Sequence, residues 1–334
     1  MNVCRVGIIG FGNWPRLAYA PVIKSMPDVH VAAVAARSEA TRGLARDTFG
    51  DSLLTFENYH DLLADESIDA VMLALPNELH AAAIEAAARS GKHLFYEPPL
   101  ANDEAAAQRV LAALGDCNQV VQADLELRCL PVIQAIMGHL DSGEMGGPLM
   151  ARIRLWCDWG YQGGPWLDEV EGQSFFLWLG CWYFDVLDAL FAASPTRVSV
   201  VGGHASNGRL MDHGWASLVY PGNRIGQFEF NLVAAQGAQI ELLVACQKGE
   251  IHADLKTGAW RWRGASNDWK HASSPASEPM HGFEGMRESI GDFIRAIRTG
   301  VVPRANLEVM RRVQQAAQLC ADAEPQPPAS ASGR

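Results

Sequence analysis

Short runs rich in valine, isoleucine and alanine alternate with longer amphipathic stretches from the start of the chain to Ala123. The runs have the length of strands and the stretches have the length of helices, a pattern typical of βαβ units around a parallel sheet. We therefore predict a doubly wound α/β domain in this half. The predicted strands are Arg5–Ile9, Val29–Ala35, Ala70–Leu75, His93–Tyr96 and Val120–Ala123. The predicted helices are Ser38–Phe49, Glu78–Ser90 and Asn102–Leu114.

From about Leu149 the pattern changes to alternating segments punctuated by glycine, which predicts antiparallel strands. These strands are Leu149–Cys157, Arg197–Gly202, Trp215–Tyr220, Arg224–Asn231 and Gln239–Val244. Helices are predicted at Phe176–Leu190, Gly285–Arg298 and Leu307–Asp322. We divide the chain into a first domain of residues 1–124, a second of residues 125–324, and a tail of residues 325–334. The proline, alanine and serine content of the tail predicts disorder.

Composition narrows the range of partners. The chain has 334 residues, of which 49% are apolar, enough for two hydrophobic cores. Its 27 Lys and Arg against 38 Asp and Glu give a net charge of −11, which repels nucleic acid and anionic lipid, so neither is expected as a partner. We find no secretory signal and no apolar run of about 18 residues, the length of a membrane span. Seven scattered cysteines without a C-x-x-C pair predict neither disulfides nor a metal site and favour a reducing cytoplasm.

The first predicted strand ends in a glycine-containing turn. Gly10 and Gly12 flank Phe11 where the chain must turn sharply into a helix, and such a turn brings backbone N–H groups against a pyrophosphate. Asn13 and Trp14 continue the turn and belong to the predicted nucleotide site, although the third glycine of the usual fingerprint is missing. An ordinary strand-to-helix turn is the alternative.

The end of the second predicted strand carries a cation and a hydroxyl. Arg37 and Ser38 lie about 25 residues after Gly12, where the adenosine ribose is normally bound. An acidic residue there would bind a free 2′-hydroxyl, whereas Arg and Ser suit a 2′-phosphate. The sequence therefore favours NADP, with NAD as the second choice. The alternative is that Arg37 is a solvated residue at the start of the next helix.

Several separated motifs occur in one order and spacing along almost the whole chain. They are Gly10-Phe11-Gly12, Ala36-Arg37-Ser38, Leu75-Pro76-Asn77-x-x-His80, Gly91-Lys92-His93, Glu97-Pro98-Pro99-Leu100, Arg128-x-x-Pro131, Trp178 to Asp185, and Asp292-Phe293-Ile294-x-x-Ile297. In this pattern the chain resembles the Gfo/Idh/MocA oxidoreductases, the glucose-fructose oxidoreductase and inositol dehydrogenase group.

The resemblance implies an NAD(P)-binding Rossmann domain followed by a C-terminal α/β domain for substrate and oligomerisation. The second domain would have an open, mostly antiparallel sheet that often pairs subunits into homodimers or homotetramers. The nicotinamide would lie at the carboxyl ends of the parallel strands, facing a pocket for a small-molecule substrate. Asn77 and His80 have an alternative role at the start of the following helix. The residues expected around the ring are Leu75, Pro76, Asn77, His80, Glu97 and Pro98.

The chain departs from the family pattern at the residues that handle protons. Pro98 occupies the position of the family's lysine beside the nicotinamide, and Trp178 and Trp182 align with its Asp and His. Asp185 alone of that helical stretch is retained. Neither proline nor an indole titrates near neutrality, and losing a positioned acid or base costs about 10²- to 10⁴-fold in rate. The usual sugar or polyol dehydrogenation is therefore not assumed.

Aromatic side chains replace the missing groups. At helical spacing Trp178, Trp182 and Asp185 are predicted to share one face. A pocket lined by these indoles suits a conjugated molecule, an imine or a stacked ring as substrate. The alternative for any one indole is that it packs in the hydrophobic core. We also assign Trp166 and Arg128 to this pocket. The candidate proton donors are Tyr183, Asp185 and Glu97.

Three functions remain open on the sequence alone. The first is an NADP-dependent reductase with a nonstandard proton donor. The second is a noncatalytic module that binds a dinucleotide or a metabolite and reports it to a partner. The third is a redox-neutral enzyme that uses the nucleotide transiently.

Overall fold

The computed structural model describes residues 3–157, 174–205, 210–234, 238–274 and 285–325. Trp166, one of the predicted pocket residues, lies outside these ranges. Backbone contacts divide the chain into two units. The first comprises the described parts of Met1–Cys129 and Glu278–Arg311, and the second those of Leu130–Ser277 and Arg312–Arg334.

A parallel six-stranded sheet forms the centre of the first unit. Its strand order is β3-β2-β1-β4-β5-β6, so the chain runs outwards from β1 in one direction and then, from β4, in the other. This order creates a switch point between β1 and β4, the place where doubly wound sheets bind ligands. The predicted Rossmann-like α/β fold is confirmed. The strands are β1 (Cys4–Ile9), β2 (Val29–Ala35), β3 (Leu54–Phe56), β4 (Ala70–Leu73), β5 (His93–Tyr96) and β6 (Val121–Ala123).

A second, eight-stranded sheet belongs to the second unit. Its order is β14-β13-β12-β11-β7-β10-β9-β8, and all neighbouring strands are antiparallel except β7 and β10. Buried and less buried residues alternate along the strands, as they do in a sheet that covers a core with one face. The predicted mostly antiparallel sheet is confirmed. The strands are β7 (Pro148–Trp156), β8 (Arg197–Gly203), β9 (His213–Tyr220), β10 (Arg224–Asn231), β11 (Gln239–Cys246), β12 (Gly249–Asp254), β13 (Ala259–Arg263) and β14 (Lys270–Ser273).

None of the described α-helices combines the length and the apolar character that crossing a membrane requires. They are α1 (Ala20–Lys24), α2 (Glu39–Phe49), α3 (Tyr59–Ala64), α4 (His80–Arg89), α5 (Glu104–Gly115), α6 (Pro131–Asp141), α7 (Cys181–Phe191), α8 (Met286–Thr299) and α9 (Leu307–Asp322).

Helix α8 packs in the first unit, although its sequence position lies within the predicted second domain, residues 125–324. Its apolar face, which includes Ile290, Phe293 and Ile294, joins the hydrophobic core that also contains Phe95 of β5. The rings of Phe293 and Phe95 are 5.5 Å apart between centroids. Burial of this face is what attaches the returning chain to the parallel sheet.

The contribution of α8 to the first unit can be measured with Phe293→Ala. Because Phe293 is completely buried, truncating it leaves a cavity, and we expect a loss of about 3–5 kcal/mol in the free energy of unfolding. Val302→Ala is the control, since Val302 is 69% exposed and should change stability by less than about 0.5 kcal/mol. Similar losses from both variants, measured by denaturant titration, would contradict the assignment of α8 to this core.

Candidate functional site

Gly10 forms the turn that follows β1. Its φ of +87° lies in the left-handed region, and a Cβ there would come within 2.1 Å of the carbonyl oxygen of Ala74. Its N–H donates to the carbonyl of Ala35 at 2.9 Å, so the turn is held between the ends of β2 and β4. Only glycine fits this position. Gly12, in contrast, faces open space, since no atom lies within 4 Å of a Cβ built on it.

The turn continues into a π-helical segment, Pro15–Tyr19, in which the N–H of Ala20 donates to the carbonyl of Pro15. Asn13 is exposed, whereas Trp14 is half-buried. The open space at Gly12 and the exposed side chain of Asn13 leave room for a ligand beside the backbone of the turn.

Arg37 and Ser38 lie at the end of β2, as the spacing predicts. The side chain of Ser38 is the N-cap of α2 and accepts from the N–H of Thr41 at 3.1 Å. Arg42 donates to the carbonyl oxygens of Ala36 and Arg37, at 2.7 and 2.8 Å. These bonds fix the backbone at the end of the strand. The side chain of Arg37 is exposed and points away from the core.

The loop after β4 contains Leu75, Pro76 and Asn77, followed by His80 as the first residue of α4. Asn77 is buried, and its amide nitrogen has no hydrogen-bond partner within the described part of the chain. The ring of His80 lies between the carbonyl oxygens of Pro99, 2.8 Å from Nδ1, and Leu75, 2.7 Å from Nε2. Burial lowers the pKa of His80, so the neutral ring donates to one of the two. His80 therefore links the loops after β4 and β5. The amide nitrogen of Asn77 is available to donate a hydrogen bond to a ligand.

Glu97, directly after β5, is buried beside two further carboxyl groups. Its Oε1 accepts from the indole N–H of Trp14 at 2.7 Å and from the hydroxyl of Tyr19. Burial, followed by the charges of Asp124 and Glu126, raises the pKa of Glu97 well above its usual range. Burial also raises the pKa of Asp124 to about 7 and that of Tyr19 well above its ordinary value.

Asp124, Glu126 and Tyr19 were not among the predicted site residues. The signal for the two acids was present in the sequence, because they alternate with apolar residues from Ala123 to Leu127, where an exposed loop would be more uniformly polar. Both are completely buried. Pro98, next to Glu97, has no side-chain proton to give, as the sequence indicates.

The second unit holds the predicted aromatic residues. Trp178 and Trp182 are half-buried, and Asp185 is completely buried. Trp178 lies in a π-helical segment, Phe176–Gly180, which precedes α7 and changes the angular spacing assumed for a regular α-helix.

Two other predicted residues have clear packing roles within their units. The ring of Tyr183 is fully buried and stacks on Phe228, with centroids 4.5 Å apart and an interplanar angle of 11°. Arg128 is buried in the first unit and donates to the carbonyl of Arg304 at 3.0 Å. No set of three or more His, Cys, Asp or Glu among the described residues is arranged to hold a metal ion.

The first unit thus places a glycine turn, an exposed arginine, an unsatisfied amide and a set of buried carboxyl groups at the carboxyl ends of β1, β2, β4, β5 and β6. Backbone N–H groups at such a turn suit a pyrophosphate, and a guanidinium suits a phosphate monoester. The arrangement is that of a dinucleotide site spread over both halves of a doubly wound sheet.

Comparisons with known proteins agree with this geometry. Residues 4–125 match the profile of the oxidoreductase family with an NAD-binding Rossmann fold, and residues 133–252 match the GFO/IDH/MocA C-terminal domain. The dTDP-3,4-didehydro-2,6-dideoxy-α-D-glucose 3-reductase of Actinomadura kijaniata is 30% identical over 145 residues, which are 43% of this chain and 43% of the relative. The chain thus matches less than half the length of that relative.

Two further relatives align over nearly the whole chain. The D-xylose 1-dehydrogenase [NADP(+)] of Haloarcula marismortui is 22% identical over 322 residues, 92% of this chain and 87% of the relative. The structure of levoglucosan dehydrogenase in complex with NADH and levoglucosan superposes with a TM-score of 0.86 at 18% identity, covering 97% of each chain. Together with the two matched profiles, these findings show that the chain belongs to the Gfo/Idh/MocA family of NAD(P)-dependent oxidoreductases.

Proposed function

We propose that the protein is an NADP-preferring reductase of a small molecule that differs from the sugars and polyols acted on by its named relatives. The observation that carries the proposal is the glycine turn after β1 with the exposed Arg37 at the end of β2. A Cβ at Gly10 would collide with Ala74, so the turn tolerates only the residue that lets a pyrophosphate approach the backbone. Arg37 then supplies a cation beside the adenosine half.

The described residues fit the coenzyme. The backbone of Gly10 to Asn13 would hold the pyrophosphate, and Arg37 with Ser38 would hold a 2′-phosphate. The unsatisfied amide of Asn77 lies in the nicotinamide half of the sheet, where the carboxamide of the coenzyme needs polar partners. When bound, the coenzyme supplies or accepts a hydride at C4 of its ring.

The substrate class follows from what replaces the family's proton-handling groups. Pro98 cannot relay a proton, and the half-buried indoles of Trp178 and Trp182 offer flat surfaces without a titratable group. A conjugated C=C or C=N acceptor needs less acid assistance than an alcohol or ketone, and its flat face stacks on indole. Tyr183 and Asp185, both completely buried, are weaker candidates for the proton donor than Glu97.

The remaining expectations are part of the same proposal. Homodimers or homotetramers are supported by the outward face of the second sheet, which exposes Met150, Val201 and Trp215. All seven cysteines are free thiols, which supports a reducing cytoplasm. The division into a nucleotide-binding and a substrate-binding domain is supported by the two contact units.

Coenzyme preference is tested by Arg37→Ala. If Arg37 binds the 2′-phosphate, the variant should lose about 1–3 kcal/mol of affinity for NADPH and much less for NADH, because only the first carries that group. Titration calorimetry with both coenzymes gives the two values. Arg89→Ala is the matched control, since Arg89 is an exposed arginine at the end of α4. Equal losses for NADPH and NADH would reject the assignment.

Reaction direction and substrate class are tested by a panel assay at 340 nm. With NADPH, enones and imines should be turned over at least about tenfold faster than sugars or polyols are oxidised with NADP⁺, since the missing acid and base cost the second reaction more. Faster oxidation of sugars or inositols would overturn the proposed substrate class.

A noncatalytic, coenzyme-binding sensor is the second candidate, and Pro98 in place of the family lysine is the observation that favours it. The same panel separates the two functions. Tight NADPH binding without turnover of any acceptor would establish the sensor and exclude the reductase. Product formation without net oxidation of NADPH would indicate a redox-neutral enzyme instead.

The role of the indoles is tested by Trp182→Ala on whichever acceptor the panel identifies. We expect kcat/KM to fall by about tenfold or more, because a stacked ring contributes about 0.5–1.5 kcal/mol beyond the apolar area that it buries. The Kd for NADPH should stay within about twofold. Trp215→Ala is the control, since Trp215 is an exposed indole of the same unit. If the two variants have equal kcat/KM, Trp182 does not contact the substrate.

A further inference from the structure

Two buried carboxyl groups lie next to each other at the ends of neighbouring strands. Glu97 follows β5 and Asp124 follows β6, which brings their side chains within hydrogen-bonding reach. The two strands pair directly, with Tyr96 opposite Ala123, and the N–H of Asp124 donates to the carbonyl of Tyr96 at 2.7 Å. Two carboxyl groups form a hydrogen bond with each other only when one of them carries a proton. The pair can therefore hold one shared proton in this geometry.

The surroundings stabilise one negative charge on the pair but not two. The described residues that donate side-chain hydrogen bonds to it are uncharged: Trp14 and Tyr19 bond to Glu97, and Ser289 bonds to Asp124 at 3.1 Å. Oδ2 of Asp124 is buried with no hydrogen-bond partner among the described residues. Ionising both groups would leave two like charges in a site of low dielectric constant, which is costly.

The groups that face the pair come from several elements. Tyr19 lies in the π-helical segment after β1, Glu126 lies two residues after Asp124, and Ser289 belongs to α8. Tyr19 stays protonated because burial raises its pKa, and the nearby charge of Glu126 raises the pKa of Glu97 further. Glu126 therefore favours retention of the shared proton, whereas the hydrogen bond from Tyr19 stabilises the single negative charge.

The pair is connected to the predicted coenzyme site by direct contacts. Trp14, which donates to Glu97, lies two residues after Gly12 in the phosphate-binding turn. In a doubly wound sheet the adenosine half of a dinucleotide lies over β1 to β3 and the nicotinamide half over β4 to β6. Asn77, in the loop after β4, is more than nine-tenths buried, and its amide nitrogen has no partner among the residues that the structure describes. The turn at Gly10 and Gly12, which is proposed to bind phosphate, and the buried amide of Asn77 both indicate a ligand beside the carboxyl pair.

We propose that Glu97 and Asp124 share one proton, and that the pair releases it to solvent when oxidised coenzyme binds but keeps it when reduced coenzyme binds. This inference rests on the proposed coenzyme site. The oxidised nicotinamide ring carries a positive charge and the reduced ring is neutral. A cation beside the pair offsets the second negative charge, whereas a neutral ring leaves the cost of double ionisation in place. No bond to the coenzyme is made or broken in this step, and the proton passes to the buffer.

The test is titration calorimetry of the full chain with NADP⁺ and with NADPH, each in two buffers of different ionisation enthalpy. The difference between buffers gives the number of protons exchanged. At about pH 6, where the pair is protonated, we expect close to one proton released per NADP⁺ and close to none per NADPH. Affinity for NADP⁺ should then rise by about tenfold per pH unit below the pKa of the pair, with no matching rise for NADPH. Equal proton counts for the two coenzymes would overturn the inference.

Asp124→Asn removes one of the two carboxyl groups and supplies an amide that donates to Glu97. Removing the charge of Asp124 lowers the pKa of Glu97, so the difference in proton release between the two coenzymes should become smaller. Asp116→Asn is the matched control, because Asp116 is an exposed aspartate of the same unit and should leave the difference unchanged. A variant of Asp124 with the same proton release as wild type for each coenzyme would exclude this pair as the source.

The melting temperature can be measured without coenzyme. This measurement is needed because a substitution can also change coenzyme binding for reasons unrelated to the shared proton. The pKa values of both carboxyl groups are raised by folding, so their contribution to stability is present at low pH and is lost as pH rises towards the folded pKa, about 7 for Asp124. The Tm of Asp124→Asn relative to wild type should therefore increase from about pH 5 to about pH 8. A difference in Tm that does not change with pH would contradict the shared proton.

These measurements separate the two proposals. If neither coenzyme binds, the proposed function fails, while the pH dependence of Tm still decides whether the proton is shared. If both coenzymes bind with the same proton exchange, the coenzyme site stands and the proposed linkage is wrong.

Discussion

The first unit depends on the close approach of the end of β1 to the end of β4. Gly10 adopts a positive φ and lies against the carbonyl of Ala74, at a distance that leaves no space for a side chain. This contact turns the chain away from the sheet at the switch point and leaves the face of Gly12 open. It also sets the start of the π-helical segment that carries Tyr19 towards Glu97. One steric constraint therefore determines both the space for a phosphate and the environment of a buried acid.

The buried carboxyl groups next to that turn are not needed for the stability of the fold. Burying Glu97, Asp124 and Glu126 opposes folding unless protons or donors compensate, and well-packed apolar residues would serve stability at least as well. The donors to Glu97 come from the turn itself and from the segment that follows it. This loss of stability occurs beside the proposed coenzyme site. Titratable groups with perturbed pKa values are commonly functional at such sites.

Much of the fold and part of the site follow from local patterns in the sequence. The strands of the parallel sheet are continuous apolar runs, and Gly10, Arg37 and Asn77 occupy fixed positions at their ends, so spacing alone locates them. Strand β3 and strands β12 to β14 were not predicted, because few of their residues are buried.

Features that depend on distant contacts could not be read from local patterns. The π-helical segment that contains Trp178 is one such feature, and its helical period differs from the regular α-helical spacing used for the prediction. The attachment of α8 to the first unit depends on Phe293 meeting Phe95, which are almost 200 residues apart in the chain. The same limit applies to Asp124, whose partner Glu97 belongs to another strand.

The uncharged side chain of Pro98 and the buried carboxyl groups near it act in the same direction on the proposed chemistry. A cation beside the nicotinamide would disfavour the oxidised, positively charged ring, whereas an anion favours it. A site that binds the oxidised ring more tightly than the reduced ring makes the bound reduced coenzyme a stronger hydride donor, since transfer creates the charge that the site stabilises. The group that the family uses to handle a proton is then less necessary, because part of the driving force is supplied at the coenzyme. The electrostatics of Glu97 and Asp124 therefore favour reduction of an acceptor that needs little acid assistance, which is the class of substrate that the half-buried indoles also suit.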